Sequence, residues 1–383
     1  MFRNIYKTNF LLRNLCNPPV CPPIVPMVVT LIGGSSRVGQ LTALQLKQCS
    51  LIHELRLFEF KPFGQTGVVM DLNHMPFSTK VVSYSGLDSL RDAVTDAQVV
   101  VICGGEPPKP TMKEYDLFLE NADYVRDVAL HTAEFNPNTI LCITTPPVTA
   151  MVPLASEEYK RAKVYDPKKI IGVTTLGVAR TNSVIGAYSE QDPGAVMCPL
   201  IGGMGTSTMV PVLSQTETGP KLPKPAVELL HNKICKSEDE ALSLKYLENS
   251  GPCILSSSFA TARFVTSVVQ GLNDNFKGYE CAFVRQTGHI EPFLSYMTSV
   301  IKLNRKGVKS LHMPYVNDME GEKLQKAAII IRKQIKWGES YVTGELLEKK
   351  RRVRRPIHEC EIIKLDEQSR ICDIGMDKCS DKC

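Results

Sequence analysis

The sequence lacks any acidic residue before Glu54, although basic residues occur throughout that stretch. A basic, acid-free start that breaks at a Pro-rich stretch (residues 18–23) is typical of mitochondrial transit peptides. We therefore expect residues 1–24 to be a transit-like leader that directs the protein to the mitochondrial matrix. A disordered cytosolic extension is the alternative. A secretory signal is disfavoured because the apolar run at residues 9–15 is short and contains Arg13.

The sequence also lacks any run of about twenty apolar residues, so we expect no membrane-spanning helix. Its net charge of +5 is unevenly distributed, because six basic residues fall within residues 349–355 and others lie in the leader. The body between these segments is close to neutral, which does not indicate a basic surface for nucleic acid. We expect neither a membrane nor a nucleic acid as a partner.

The thirteen cysteines form no pair of CxxC motifs, which argues against a structural zinc site. Their odd number, and the position of several inside apolar runs, favours free thiols in a reducing compartment. Four late cysteines have spacings that match no metal site, although they could cross-link chains under oxidising conditions. They are Cys360, Cys372, Cys379 and Cys383. We expect no bound metal.

Continuous apolar runs alternate with helical patterns in the first part of the chain. Such strands predict a parallel sheet covered on both faces by helices, a Rossmann-type, doubly wound α/β fold. Ligands bind sheets of this kind at the carboxyl ends of the strands, where the glycine-rich turns of this sequence fall. The predicted strands are residues 25–32, 55–60, 81–84, 98–103 and 139–144.

The pattern changes near residue 171, where long helical segments begin to dominate. With a strand-like run at residues 279–284, they predict a C-terminal α+β substrate domain. We therefore divide the chain into a leader (1–24), a nucleotide domain (25–171), a substrate and dimerisation domain (172–344) and a charged, Cys-containing, flexible tail (345–383). The tail's basic run is interpreted as a solvated segment; a nuclear signal and a nucleic-acid or lipid contact are the alternatives. The predicted helices are residues 176–187, 225–235, 239–249, 256–272 and 318–335.

A glycine-containing turn follows the first predicted strand and precedes a helix. A dinucleotide turn has one glycine for the tight bend, one for close approach of the diphosphate and one for helix packing. The first and third are kept, and the second is replaced by a serine whose Cβ would crowd the backbone near a phosphate. The candidate cofactor residues of this turn are Gly33, Gly34, Ser35, Ser36 and Gly39.

Two charged residues complete the predicted nucleotide site. Glu59 ends the second strand twenty residues after Gly39, where an acid binds the ribose hydroxyls and favours NAD over NADP. Arg37 stands at the start of the helix, where its side chain could pair with the diphosphate or cover the site. NAD is therefore the predicted cofactor, and a fold retained with an empty crevice is the alternative.

Several segments are specific enough to indicate a family. Over residues 27 to about 344 the chain resembles the mitochondrial malate dehydrogenases. The resemblance implies their fold, homodimers, and NAD-dependent interconversion of L-malate and oxaloacetate, a step of the tricarboxylic acid cycle. The segments that carry it are residues 68–74, 109–110, 116–118, 121–122, 169–176, 201–203 and 262–265.

The family's proton-transfer pair is replaced in this sequence. The reaction needs a neutral histidine that accepts the hydroxyl proton and a carboxylate that orients it. By the resemblance, the histidine position is Met204 and the aspartate position is Gly177. Neither residue can accept a proton from an alcohol, and we expect none of the seven histidines to substitute.

The substrate-binding positions are also changed. The family's two loop arginines, which hold the carboxylates of the substrate, fall at Pro108 and Glu114, and a carboxylate there repels a dianion. The family's asparagine, placed near substrate and cofactor, falls at Thr145, whereas Asn121 and the substrate arginine, Arg180, are retained. Thr145 and Asn121 are thereby predicted to lie at the cofactor site.

These replacements predict a catalytically impaired member of the family, a pseudoenzyme retained as a structural or assembly partner. It would pair with itself or with an active paralogue. Two alternatives stay open: an active mitochondrial malate dehydrogenase, and a dehydrogenase of altered substrate, such as a monocarboxylate held by Arg180.

Overall fold

The computed structural model describes residues 27–61 and 65–344. The predicted leader and the tail at residues 345–383 lie outside the described residues. Described residues up to Glu339 belong to one compact unit.

Eleven strands and nine α-helices make up this part of the chain. The strands are β1 (Met27–Ile32), β2 (Ile52–Glu59), β3 (Lys80–Ser85), β4 (Val99–Ile102), β5 (Ile140–Ile143), β6 (Ile170–Val173), β7 (Leu200–Gly202), β8 (Met209–Pro211), β9 (Glu280–Arg285), β10 (Tyr296–Asn304) and β11 (Gly307–His312). The helices are α1 (Arg37–Leu46), α2 (Thr66–Asn73), α3 (Leu90–Val94), α4 (Glu114–Phe135), α5 (Val148–Arg161), α6 (Thr175–Ser189), α7 (Lys224–Leu247), α8 (Leu255–Leu272) and α9 (Asp318–Val342).

The first six strands form the parallel sheet that the sequence predicts, in the order β3-β2-β1-β4-β5-β6. Strands β4, β5 and β6 are buried along their whole length, which explains their unbroken apolar sequences. The order reverses between β1 and β4, so the turns after these strands diverge and leave a crevice. The predicted Rossmann-type fold is confirmed.

The sheet continues into the second half of the chain. Strand β9 pairs antiparallel with β6, with Phe283 opposite Gly172, and β10, β7 and β8 follow, while β11 pairs with β10. A Cβ at Gly172 would lie 2.5 Å from Val148 Cγ1, so the glycine allows α5 to pack closely on this joint. The two halves therefore share one sheet, which the sequence patterns did not predict.

Helix α7 differs from the prediction of two helices in this region. It runs unbroken from Lys224 to Leu247, because the residues between the two predicted segments, 236–238, include no glycine or proline. Pro225 sits in its first turn, where the missing N–H costs nothing.

Helix α8 lies where it can close the nucleotide crevice from the second half. Its apolar side chains, including Phe264 and Val265, join the same buried cluster as Val29 and Leu31 of β1. Ser258 Oγ, which donates to the Ile254 carbonyl oxygen at 2.6 Å, also lies 3.3 Å from the Val38 carbonyl oxygen, so this helix packs against the first turn of α1. Within the described residues, no helix is long and apolar enough to cross a membrane.

Candidate cofactor and substrate site

A cavity of about 670 Å³ lies at the carboxyl ends of the parallel strands. One side is formed by the turn after β1 and by the loops that follow β4 and β5. The other side is formed by residues 204–206 and by parts of α7 and α8. The order reversal in the sheet thus produces a crevice at the carboxyl ends of the strands.

Three glycines in and after the turn that follows β1 are so closely surrounded that a side chain would not fit at any of them. Gly33 has a φ of +89°, and a Cβ there would lie 2.5 Å from Gly104 Cα. A Cβ at Gly39 would lie 2.2 Å from the carbonyl oxygen of Gly33, and one at Gly34 would lie 2.7 Å from Leu57 Cβ. Because glycine has no Cβ, the turns after β1 and β4 can approach each other closely, as a dinucleotide-binding turn requires.

Ser36, at the place of the missing glycine, caps helix α1. Its Oγ accepts a hydrogen bond from the Gly39 N–H at 2.9 Å and donates one to the Gly33 carbonyl oxygen at 2.7 Å. The serine hydroxyl is therefore held against the turn. Arg37, the next residue, is exposed and lines the cavity.

Glu59 ends β2 beside this turn. One carboxylate oxygen accepts a hydrogen bond from Ser35 Oγ at 2.5 Å. The phenol of Tyr124 lies close enough to be affected: desolvation raises its pKa well above the usual range, and the negative charge of Glu59 adds to the rise. An acid at this strand end is placed as a ribose-binding carboxylate requires.

Asn121 and Thr145 hold the loops that wall the cavity. Asn121 Nδ2 donates to the carbonyl oxygens of Glu106 and Pro146, at 3.0 and 2.8 Å, and its Oδ1 accepts from the Glu106 N–H. Thr145 Oγ1 donates to the Gly104 carbonyl oxygen at 2.7 Å. Both side chains thus position backbone around the cavity, and Thr145 also lines it.

Taken together, the residues at this end of the crevice fit a dinucleotide. The glycine packing keeps the turn tight, Glu59 supplies the ribose acceptor and the exposed Arg37 supplies a cation near the helix N-terminus. When bound, NAD would supply the hydride acceptor. Among the described residues, no group of three or more metal-binding side chains is placed to hold a metal ion.

At the substrate end, Met204 and Gly177 adjoin each other in an apolar environment. A Cβ at Gly177, which is buried, would lie 3.3 Å from Met204 Sδ, 3.1 Å from Met209 Sδ and 2.9 Å from Leu200 Cδ2. The sulfur atoms and the leucine therefore fill the space that a longer side chain at residue 177 would need. No histidine among the described residues lines the cavity.

Carboxylates line the cavity near this apolar pair. Gln334 Nε2 donates to Glu114 Oε2 at 2.6 Å, and Glu238 and Asp239 at the cavity wall come from α7. Desolvation raises the pKa of Glu114, and the negative charges of Asp239 and Glu238 add to the rise, whereas the Gln334 hydrogen bond lowers it. The cavity therefore disfavours further negative charge at this end.

Arg180, which the family resemblance implies to be a substrate arginine, is already paired with a carboxylate. Its Nη1 lies 2.6 Å from Glu238 Oε2, and its side chain is only 13% exposed. Pro108 lines the cavity, and its carbonyl oxygen lies 3.5 Å from the hydroxyl of Tyr246 on α7. A carboxylate substrate would have to displace Glu238 to reach the guanidinium.

The sequence reasoning missed the contribution of α7. The run Glu238-Asp239-Glu240 is ordinary for a solvated helix face, and no spacing marks two of its members as cavity residues. No signal in the sequence marks these residues, because the partner of Arg180 is fixed only when α6 and α7 pack against each other.

Two adjoining profiles of one family match the chain. The lactate/malate dehydrogenase NAD binding domain matches residues 27–172, and the alpha/beta C-terminal domain of the same family matches residues 174–342. The chain belongs to the lactate/malate dehydrogenase family. Its dinucleotide end is accordingly the NAD binding domain of that family.

The sequences of curated members of the lactate/malate dehydrogenase family support this assignment. The chain is 33% identical to mitochondrial malate dehydrogenase of Bos taurus over 315 residues, which cover 82% of this chain and 91% of that protein. The identity to the Caenorhabditis elegans protein of the same name is 33% over 317 residues, with the same coverage, and to the Homo sapiens protein it is 32% over 315 residues.

Solved structures of lactate/malate dehydrogenases share the fold. Malate dehydrogenase of Cryptosporidium parvum superposes with a TM-score of 0.72 at 20% identity, over 82% of this chain and 100% of that one. Lactate dehydrogenase of the same organism, complexed with lactic acid and NAD, superposes with a TM-score of 0.71 at 17% identity, over 82% and 98% of the two chains.

Substrate positions implied by the malate dehydrogenase resemblance converge on this cavity. Pro108, Glu114, Thr145 and Met204 line it, Gly177 lies against Met204, and Arg180 is paired with a glutamate that lines it. Four of the six positions thus line one cavity and the other two contact residues that line it, and five of the six carry residues other than those the resemblance implies.

Proposed function

We propose that this protein is a lactate/malate dehydrogenase family member that retains NAD binding, does not oxidise malate, and serves as a structural or assembly partner. The observation that carries the proposal is the contact between the Gly177 position and the Met204 sulfur. An apolar contact occupies the place where the family resemblance implies a hydrogen-bonded histidine and aspartate.

Loss of the proton acceptor alone removes a factor of ~10²–10⁴ in rate. Loss of the orienting acid and of both loop arginines reduces transition-state binding further, although such losses are not additive. Glu114, Glu238 and Asp239 in the cavity wall also repel a dicarboxylate, and Arg180 is committed to Glu238. We therefore expect turnover of malate and of oxaloacetate to be absent.

The test is an NADH-linked assay in both directions, on the full chain and on a chain that begins at residue 25. An active mitochondrial malate dehydrogenase, prepared alongside, sets the scale of activity. We expect no malate-dependent reduction of NAD above the blank. Robust, stoichiometric reduction would contradict the proposal and would support the alternative of an active malate dehydrogenase.

The assembly role is tested by co-expression with a tagged active malate dehydrogenase of the same organism, followed by tag purification and native mass determination. We expect a dimer, either of two copies of this chain or of one copy with the active paralogue. An obligate monomer in both preparations would contradict the assembly role.

A mitochondrial location is proposed from the basic, acid-free residues 1–24 and from the names of the curated relatives. A fluorescent fusion of the whole chain should co-localise with a matrix marker, and a fusion that begins at residue 25 should not. Identical cytosolic distributions would contradict the proposal.

The second candidate function is a dehydrogenase of altered substrate. The observation that favours it is the position of the Glu114 carboxylate at the cavity, together with its raised pKa. A carboxylate with a raised pKa at the cavity can accept a proton from an alcohol. Because the wall is acidic, such a substrate would be neutral or cationic. A panel of neutral and amino alcohols, assayed with NAD on the wild type and on Glu114→Gln, tests this: activity that Glu114→Gln removes would favour it.

A further inference from the structure

We propose that Arg37 binds the diphosphate of the dinucleotide and replaces hydrogen-bond donors that the turn has lost. This inference rests on the proposed retention of NAD. In folds of this type the diphosphate usually lies against free N–H groups of a glycine-rich turn at a helix N-terminus. Here the chain has changed both the turn and the residue that follows it.

Hydrogen-bond donors at the start of α1 are already used within the turn. The Gly39 N–H, in the first turn of α1, is bound to Ser36 Oγ at 2.9 Å. The hydroxyl proton of Ser36 is also used, because it is donated to the Gly33 carbonyl oxygen at 2.7 Å. An anion at this helix end therefore finds fewer backbone donors than a glycine at residue 36 would leave.

Arg37 places a positive charge at this end of the cavity. Its side chain is exposed, lines the cavity and forms no ion pair with any carboxylate among the described residues. Arg37 and Lys109 are the basic residues among the described cavity walls, whereas the acids there are Glu106, Glu114, Glu238 and Asp239.

Arg37 is the first residue of α1, so its side chain starts at the positive end of a helix of ten residues. A guanidinium presents paired N–H donors that match two oxygens of a phosphate, and an unpaired one loses no existing partner when it does so. The dinucleotide therefore gains a bidentate, charged contact in exchange for the backbone donors.

The test is calorimetric titration with NAD, ADP-ribose and adenosine, of which the first two contain a diphosphate and the third does not. The proteins are the full-length wild type, Arg37→Ala, Arg37→Lys and Arg305→Ala. Arg305 pairs with Asp274 outside the cavity wall and matches the loss of one positive charge. Thermal unfolding of each protein checks that it is folded.

We expect Arg37→Ala to weaken NAD and ADP-ribose binding by about 10- to 100-fold, the size of a lost charged hydrogen bond. Adenosine binding should be unchanged, Arg37→Lys should be intermediate and Arg305→Ala should match the wild type. The salt dependence of NAD binding should also weaken in Arg37→Ala.

Equal NAD affinity in Arg37→Ala and the wild type would overturn this inference and leave the proposed function intact. An equal loss for all three ligands would also overturn it, because a damaged turn rather than a missing charge would then be responsible. A wild type that binds none of them would overturn the proposed retention of NAD and this inference together.

Discussion

The packing around Gly177 leaves no space for a Cβ atom, and the three heavy atoms nearest to that place belong to apolar side chains. Met204 Sδ, Met209 Sδ and Leu200 Cδ2 all lie within 3.3 Å of an ideal Cβ at this residue. An ionised side chain would enter this space without a hydrogen-bond partner, which is unfavourable in a buried position. Gly177 and Met204 are thus compatible with each other, whereas an aspartate at residue 177 beside Met204 is not.

Gly177→Asp is expected to destabilise the protein by about 1–3 kcal/mol, the cost of an unsatisfied buried polar group. Thermal and urea unfolding measure the change. Gly67→Asp is the matched control, because it also lies in the first turn of a helix but has open space around it. A Gly177→Asp variant as stable as Gly67→Asp would contradict the packing described here.

The double variant Gly177→Asp with Met204→His extends this measurement. An imidazole beside the carboxylate provides the missing partner, so the double variant should be more stable than the sum of the single changes predicts. Coupling between contacting residues is typically about 0.5–3 kcal/mol. Additive effects would show that the two side chains do not meet.

Glu114 gives a prediction with a defined pH dependence. Desolvation raises its pKa in the folded protein above the ordinary value of 4.5, so ionisation at higher pH disfavours folding, and the effect on stability is small because the residue is exposed. Glu114→Gln should therefore raise the unfolding temperature at pH 7, and the difference should disappear below the ordinary pKa, where Glu114 is protonated in both states. Glu120→Gln, on the same helix, controls for the loss of one charge.

Unfolding temperatures measured from pH 3.5 to 8 would decide this. A Glu114→Gln variant that is destabilised at pH 7, or a gain that does not depend on pH, would contradict the described environment. The Gln334 hydrogen bond is preserved in the variant, since an amide oxygen accepts it as a carboxylate does.

At the scale of single residues, the sequence predicts the changed positions but not their surroundings. Met204 and Gly177 are identifiable because the segments on either side match the family without gaps. The pairing of Arg180 with Glu238 is not, because those residues are distant in sequence and meet only after α6 and α7 pack. Contacts of this kind depend on tertiary structure, which residue spacing does not encode.

Among the helices, α1 depends on a single capping side chain. Ser36 Oγ satisfies the Gly39 N–H, and the first turn of α1 contains no acidic residue that would also stabilise it. Its N-terminal end is therefore sensitive to the loss of one hydroxyl.

Ser36→Ala is expected to cost about 0.5–2 kcal/mol, whereas Ser36→Asn should retain most of the stability because its side-chain oxygen can cap the helix. Urea unfolding measures both, with Ser89→Ala, a serine whose side chain caps no helix, as control. Equal stability of Ser36→Ala and the wild type would show that the hydroxyl is not needed at this helix end.

Secondary-structure elements were predicted well where local rules apply and poorly where they do not. The first five strands follow from apolar runs bounded by turns, and each appears within a few residues of its predicted position. The prediction of two helices at residues 225–235 and 239–249 is wrong, because no glycine or proline interrupts α7 between them. The pairing of β9 with β6 could not be predicted, because it joins residues more than a hundred positions apart.

For the whole molecule, NAD binding without turnover predicts a stability effect. A ligand that binds only the folded state stabilises it by about 2.7 kcal/mol at a concentration of 100 Kd. We expect NAD to raise the unfolding temperature, and malate or oxaloacetate to have no effect beyond that of salt. Oxaloacetate that stabilises the protein as strongly as NAD would contradict the acidic character of the cavity.

The continuous sheet has a consequence for how the chain can be divided. A fragment that stops after Val173 would leave β6 with a bare row of N–H and C=O groups where β9 is paired in the whole protein. Such an edge recruits other chains. The nucleotide half expressed alone should therefore tend to precipitate. A nick of the backbone at the exposed residues 249–250, with both pieces still present, separates no paired strands and should be tolerated better.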